Sequence, residues 1–204
     1  REQVIDRYEV QPLSDPREIL NFPQTSLSIC WGPAAGPVSC CAAFSSRALY
    51  FGGTFCAPPW EFEDSLCGRF REKLWERNLL EMFVAQNGSP RYQEFNLSPA
   101  GEWWSCVFES RRKPAAFDVS ALKPQVFVGN SKSSWQAVIE LPLNSLDFDL
   151  TSPETLRVNF CACFGKGDIS YLSAASLPGS VPDFHQPEAF LPVRLITRDR
   201  RPRS

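Results

Sequence analysis

Short apolar runs recur along the chain, and turn signals separate many of them before a long helix could form. They fall at Leu27–Trp31, Val38–Phe44, Leu49–Phe55, Leu79–Val84, Tyr92–Leu97, Trp103–Arg111, Gln125–Gly129, Trp135–Leu141, Leu156–Phe164, Ile169–Leu172 and Phe190–Ile196. Asn87-Gly88, Pro99-Ala100-Gly101, Gly129-Asn130 and Gly165-Lys166-Gly167-Asp168 punctuate them. The 18 prolines reinforce the constraint, because proline removes a backbone donor and breaks helix interiors. Short strands between such turns predict an all-β fold, a jelly-roll-like antiparallel sandwich of two sheets. One segment departs from this pattern. From Asp64 to Glu76, Leu66, Phe70, Leu74 and Trp75 sit near a helical repeat, which predicts one short helix. A further helical turn is expected at Leu143–Leu146. The expected organisation is an extended lead-in over residues 1–25, one sandwich over 26–197 and a basic tail over 198–204.

The charge balance, 21 Lys+Arg against 23 Asp+Glu, supplies no pull toward nucleic acid or an anionic membrane. No apolar stretch approaches the length that spans a bilayer as a helix. The chain does not open on Met, so its first residues carry no information on export. Its eight cysteines contain no C-x-x-C pair, which argues against a zinc ribbon. Five of them, Cys30, Cys41, Cys106, Cys161 and Cys163, lie in apolar runs, where a free thiol behaves as a small hydrophobe. This favours a reducing, cytoplasmic compartment; an extracellular disulfide set is the alternative.

Successive side chains of a strand point to opposite faces. On that rule Leu80, Met82 and Val84 share a core face, with Glu81 opposite. Glu94 and Asn96 oppose Phe95 and Leu97. Arg157 and Asn159 oppose Val158 and Phe160, and Tyr171 opposes Leu172. If these strands are neighbours, Glu81, Glu94, Asn96, Arg157, Asn159 and Tyr171 converge on one sheet surface. Planar acceptors and donors edged by aromatic rings suit a sugar, whose hydroxyls need hydrogen bonds and whose apolar ring face stacks. The alternative is a solvated sheet face with ion pairs such as Glu94–Arg157.

The segment Leu74-Trp75-Glu76-Arg77-Asn78-Leu79-Leu80-Glu81-Met82-Phe83 resembles the W-x-x-[DN]-x-x-E-x-F pattern of family 9-like carbohydrate-binding modules. Tyr92-Gln93-Glu94-Phe95-Asn96-Leu97-Ser98-Pro99-Ala100-Gly101-Glu102-Trp103 resembles the next family segment. Ile169-Ser170-Tyr171 and Pro182-Asp183-Phe184-His185 with Phe190 resemble the closing segment of small bacterial DOMON-like proteins. The order holds over roughly residues 60 to 195. The resemblance implies a jelly-roll sandwich with a ligand site on one sheet. Trp75 would stack on the sugar, Glu81 would accept from its hydroxyls, Tyr171 would form the opposite wall and Glu94 would lie on the adjoining strand. Arg77 and Asn78 stand where the family often has two acids, which weakens any case for calcium. Without the resemblance, Trp75 reads equally as a buried anchor at the corner.

His185, the single histidine, reads as a site-lining donor, a general base, an axial haem ligand or a residue fixing its own loop. Met82 is the second haem ligand that DOMON-type haem domains would supply, although alternation puts it on the core face. Four functions follow: a non-catalytic module for a carbohydrate or similar small polar ligand; a haem-binding domain; a glycan hydrolase using Glu81 and Glu94 as acid and base; and a protein-interaction scaffold. A groove favours a small ligand, and a flat apolar face a protein partner. No Ser-His-Asp order, phosphate loop or metal cluster stands out, and no cofactor is expected beyond the haem or calcium of the resemblance.

Overall fold

The computed structural model describes residues 3–60, 63–76, 78–149 and 152–198. Among these, fourteen strands form in chain order. They are β1 Ile5–Val10, β2 Thr25–Ser26, β3 Ser28–Trp31, β4 Val38–Phe44, β5 Ala48–Phe55, β6 Leu79–Gln86 and β7 Tyr92–Leu97. After them come β8 Trp103–Ser110, β9 Lys113–Pro114, β10 Gln125–Asn130, β11 Trp135–Pro142, β12 Leu156–Phe164, β13 Ser170–Ser173 and β14 Leu191–Arg198. Each of the eleven apolar runs becomes a strand, with ends shifted by a residue or two.

The first sheet runs β10-β11-β5-β4-β1-β14, with β2 beside β4. The second runs β12-β6-β7-β8-β9, with β13 and β3 added on the other side of β12. Strand β14 joins the two: Leu191 and Pro192 pair with β12, and from Val193 onward it lies along β1. The sheets pack face to face over one core, where Phe51 stacks on Phe160 at 5.9 Å and Phe55 meets Phe164 at 5.6 Å. Leu80, Met82, Val84, Phe95, Leu97, Val158 and Ala162 fill that core as alternation requires.

Three expectations are corrected. The lead-in is part of the sandwich: β1 pairs in parallel with both β14 and β4, so the arrangement is mixed rather than purely antiparallel. The extended strand expected in the lead-in is Ile5–Val10, and Ile5 and Tyr8 alternate inward from its opposite faces. The helix over Asp64–Glu76 does not form. Turns replace it, with a single 3-10 turn at Leu74–Glu76, and no α-helix occurs among the described residues. Glu102 explains why: it is fully buried and bound by Arg69 at 2.8 Å and Arg71 at 2.7 Å, which pulls that segment along β8 instead. Phe70 then pairs with Trp103, and Leu66 is left exposed. The turn at Leu143–Ser145 does form. Beyond Arg198, the basic tail lies outside the described residues, as does Arg77.

Candidate functional site

Strand register decides which outward side chains meet. Across the outer face of the second sheet, one row runs Ser173, Cys161, Glu81, Asn96 and Trp104. The next runs Asn159, Phe83, Glu94 and Cys106. Glu81 and Glu94 are therefore diagonal neighbours on β6 and β7, within reach of each other. Tyr171 on β13 pairs with Cys163 on β12, one row further along.

Of these side chains, Glu81, Phe83, Glu94, Trp104, Cys106, Cys163 and Tyr171 line a hollow of about 440 Å³. Trp75 and Trp104 form one aromatic wall, edge to face at 5.1 Å. Tyr171 and Phe184, 5.8 Å apart, stand on the other side with Phe83 beside them. Trp75 is 47% exposed, so it is not the buried anchor of its corner; Leu74, at 0%, is. Lys73, at φ 58°, turns the chain into the 3-10 turn that presents Trp75. Glu72 accepts from the Trp104 indole at 3.1 Å and fixes that ring.

The segment from Ala174 to Phe190 closes the far rim. Leu177, Phe184 and Phe190 pack on the sheet, and Gln186 ties the loop together through the Pro178 and Asp183 carbonyls. Arg111 and Arg112 clamp Asp183, whose carboxylate also accepts from the His185 amide at 2.9 Å. The His185 ring packs against Phe83 and Phe108. Tyr92 Oη accepts from the Arg112 amide and shares a hydrogen bond of 2.7 Å with His185 Nδ1. His185 Nε2 lies 3.6 Å from a Glu94 carboxylate oxygen. Burial, with Arg112 adding to it, holds His185 neutral with its pKa lowered to about 4. Two of the sequence readings thus merge, since His185 both fixes its loop and lines the hollow.

Burial dominates the carboxyl pair. Both side chains are 4% exposed. Desolvation pushes Glu94 up to about 7, against the opposing hydrogen bonds from Glu81 and Asn96. Glu81 is raised well above the ordinary carboxylate range, first by burial and then by the Glu94 charge. At neutral pH the pair retains a proton, held in a hydrogen bond between the two groups.

The other expected site residues fall differently. Asn96 is buried beside the pair rather than lining the hollow. Arg157 shares the face but lies opposite Ala85, four residues along the sheet from Cys161 and Glu81, a distance of about 13 Å. It donates to the Phe190 carbonyl and to Asn87, not to Glu94. Asn159 is engaged by Ser173 and the Ala175 amide beneath the closing loop. Met82 is in the core and His185 on the opposite face of the sheet, so the two cannot bracket one haem. Among the described residues no three His, Cys, Asp or Glu side chains gather as metal ligands.

Sequence reasoning misses Trp104, Cys106 and Phe108 on β8, and Arg112, Asp183 and Phe184 at the rim. The β8 residues carry a usable signal. The tight turn Ser98–Gly101 forces Leu97 opposite Trp103, which puts Trp104 beside Asn96. Gly101 sits at φ 80°, where a side chain would strike Cys67, so only glycine suits that turn.

No family model matches the chain, and no curated protein matches it significantly. Solved structures do. A candidate carbohydrate-binding protein from Bacteroides uniformis is similar over 96% of this chain and 100% of its own, with a TM-score of 0.72 and 15% identity. The chain has a carbohydrate-binding-module-like fold. Two structures of a family 9 carbohydrate-binding module from Caldicellulosiruptor kristjanssonii agree. The one in complex with cellotriose matches with a TM-score of 0.60 at 11% identity, over 95% of this chain and 94% of that one. The one in complex with glucose gives 0.59 at 12%, over 96% and 98%.

Proposed function

We propose that this chain is a non-catalytic module that binds a carbohydrate, or a similar small polar ligand, in the hollow over the second sheet. The observation that carries the reading is the pairing of aromatic walls on two sides with hydrogen-bonding groups on the floor. Trp75 and Tyr171 offer flat apolar faces, and Glu81, Glu94 and His185 offer acceptors and a donor. A volume of about 440 Å³ falls in the range of small-ligand sites. The ligands of the structural neighbours, glucose and cellotriose, support a sugar as the occupant.

Hydrolysis is disfavoured by the same geometry. Glycosidase carboxyls work at separations of about 5–9.5 Å, with a sugar or water between them. Glu81 and Glu94 instead hydrogen-bond each other. The test is calorimetry against a panel of mono- and oligosaccharides, with Trp75→Ala as the control variant. Binding by the unaltered chain and its loss in the variant are expected; equal affinity in both would contradict the placement.

A further inference from the structure

Three carboxylates are buried among the described residues: Glu81, Glu94 and Glu102. Glu102 is neutralised by Arg69 and Arg71. The partly buried Asp147 and Asp183 likewise meet arginines. The Glu81–Glu94 pair has no such partner. Among the described residues no lysine or arginine forms an ion pair with either group. Arg112, the cation at the rim, forms its ion pair with Asp183 and reaches Glu94 only through its field, the last of the influences on that carboxyl. His185 faces Glu94 only as a neutral ring. Beside the pair, the Asn96 amide is 1% exposed and hydrogen-bonds Glu94 without bringing a charge to it.

Two acids kept dry without a cation are costly, and a neutral sugar offsets little of that cost, because its hydroxyls supply hydrogen bonds but no positive charge. A ligand cation offsets far more. The rings around the acids, Trp75, Trp104, Phe108, Tyr171 and Phe184, present the negative faces that attract an ammonium. Other groups facing the pair do not compete for that place. Cys106 on β8 and Cys163 on β12 have their thiols pushed up by burial and stay protonated. Tyr171 on β13 is likewise raised and remains a phenol.

We propose that the hollow selects a sugar carrying a free, protonated amine over its neutral counterpart, with the ammonium seated against the Glu81 and Glu94 carboxylates and the sugar ring against the aromatic walls. This rests on the carbohydrate-module reading and names its ligand class. The ammonium takes the place of the proton shared by the two acids, so binding releases up to one proton to the buffer. A neutral sugar releases none.

The experiment is calorimetry on the full chain with glucosamine, N-acetylglucosamine and glucose, near about pH 6.5, where a buried pair of this kind still holds its proton. Each titration is run in two buffers of different ionisation enthalpy. The expected result is glucosamine binding tenfold or more tighter than glucose, with proton release seen for glucosamine alone. Glu81→Gln should collapse the ratio to within threefold, and Glu94→Gln serves if that variant does not fold. Glucose binding as tightly as glucosamine, without proton release, overturns this inference and leaves the carbohydrate reading intact. Binding of none of the sugars overturns both.

Discussion

The two sheets carry outer faces of opposite character. On the first, Cys41, Ala43, Ala48, Tyr50 and Val138 form a shallow apolar surface, and the N-terminal segment seals it by laying Ile19 and Phe22 across it. Even the tyrosines there are closed off: Tyr8 Oη donates to the Pro23 carbonyl, and Tyr50 Oη accepts from the Leu13 amide. On the second, the segment from Ala174 to Phe190 covers only part of the sheet, with His185 at the edge of the opening, leaving two acids at the bottom of an aromatic hollow. A sandwich tolerates one unsealed face when its core and its other face are closed. What is left open, and lined with groups that cost free energy to bury, is where function belongs.

The contrast breaks most sharply with Ile19→Ala. Emptying a fully buried site should cost about 2–4 kcal/mol in denaturant unfolding, while sugar binding of the folded protein stays as it was. A binding loss there would mean that the two faces are not independent. Trp75→Ala should do the reverse: a tenfold or larger loss of binding, about 1.4 kcal/mol, with a smaller change in stability because the ring is half exposed.

Much of this contrast is legible in the sequence. Alternation puts Glu81, Glu94, Asn96 and Tyr171 on the outward face correctly, since the period of two survives any register. Between β7 and β8 register is legible as well, because a tight turn sets it. Between β6 and β12 it is not. Some seventy residues separate these strands, and the pairing that puts Arg157 opposite Ala85 is set by core packing. For that reason alternation assigns Arg157 to the right face and leaves open its position along it, which is the far end from the acids. The helix expected over Asp64–Glu76 fails because a repeat of four apolar residues is weaker than a buried carboxylate holding two arginines.

The acids make the open face sensitive to pH in a direction the closed face cannot share. Glu94 has a folded pKa above its unfolded one, so the folded state binds the extra proton and stability falls as pH rises from about 4.5 to about 7. His185 acts oppositely: its folded pKa is depressed, so it costs stability as pH falls from about 6.5 to about 4. The two partly cancel in the unaltered chain. Glu94→Gln removes the first and leaves the second. Its stability relative to wild type should therefore rise between pH 5 and 7, by on the order of 1 kcal/mol in urea titrations at each pH. A flat difference would show that the acid is not held dry. The smallest effect is expected of Arg157→Ala, which sits outside the hollow and should change sugar affinity less than about twofold.

The most direct measurement is a crystal of the chain soaked with a mixture of neutral and amino sugars. The account predicts ring density between Trp75 and Tyr171, with polar substituents turned down onto Glu81 and Glu94. Sugar bound elsewhere on the surface, with the hollow left to solvent at saturating concentration, would contradict it.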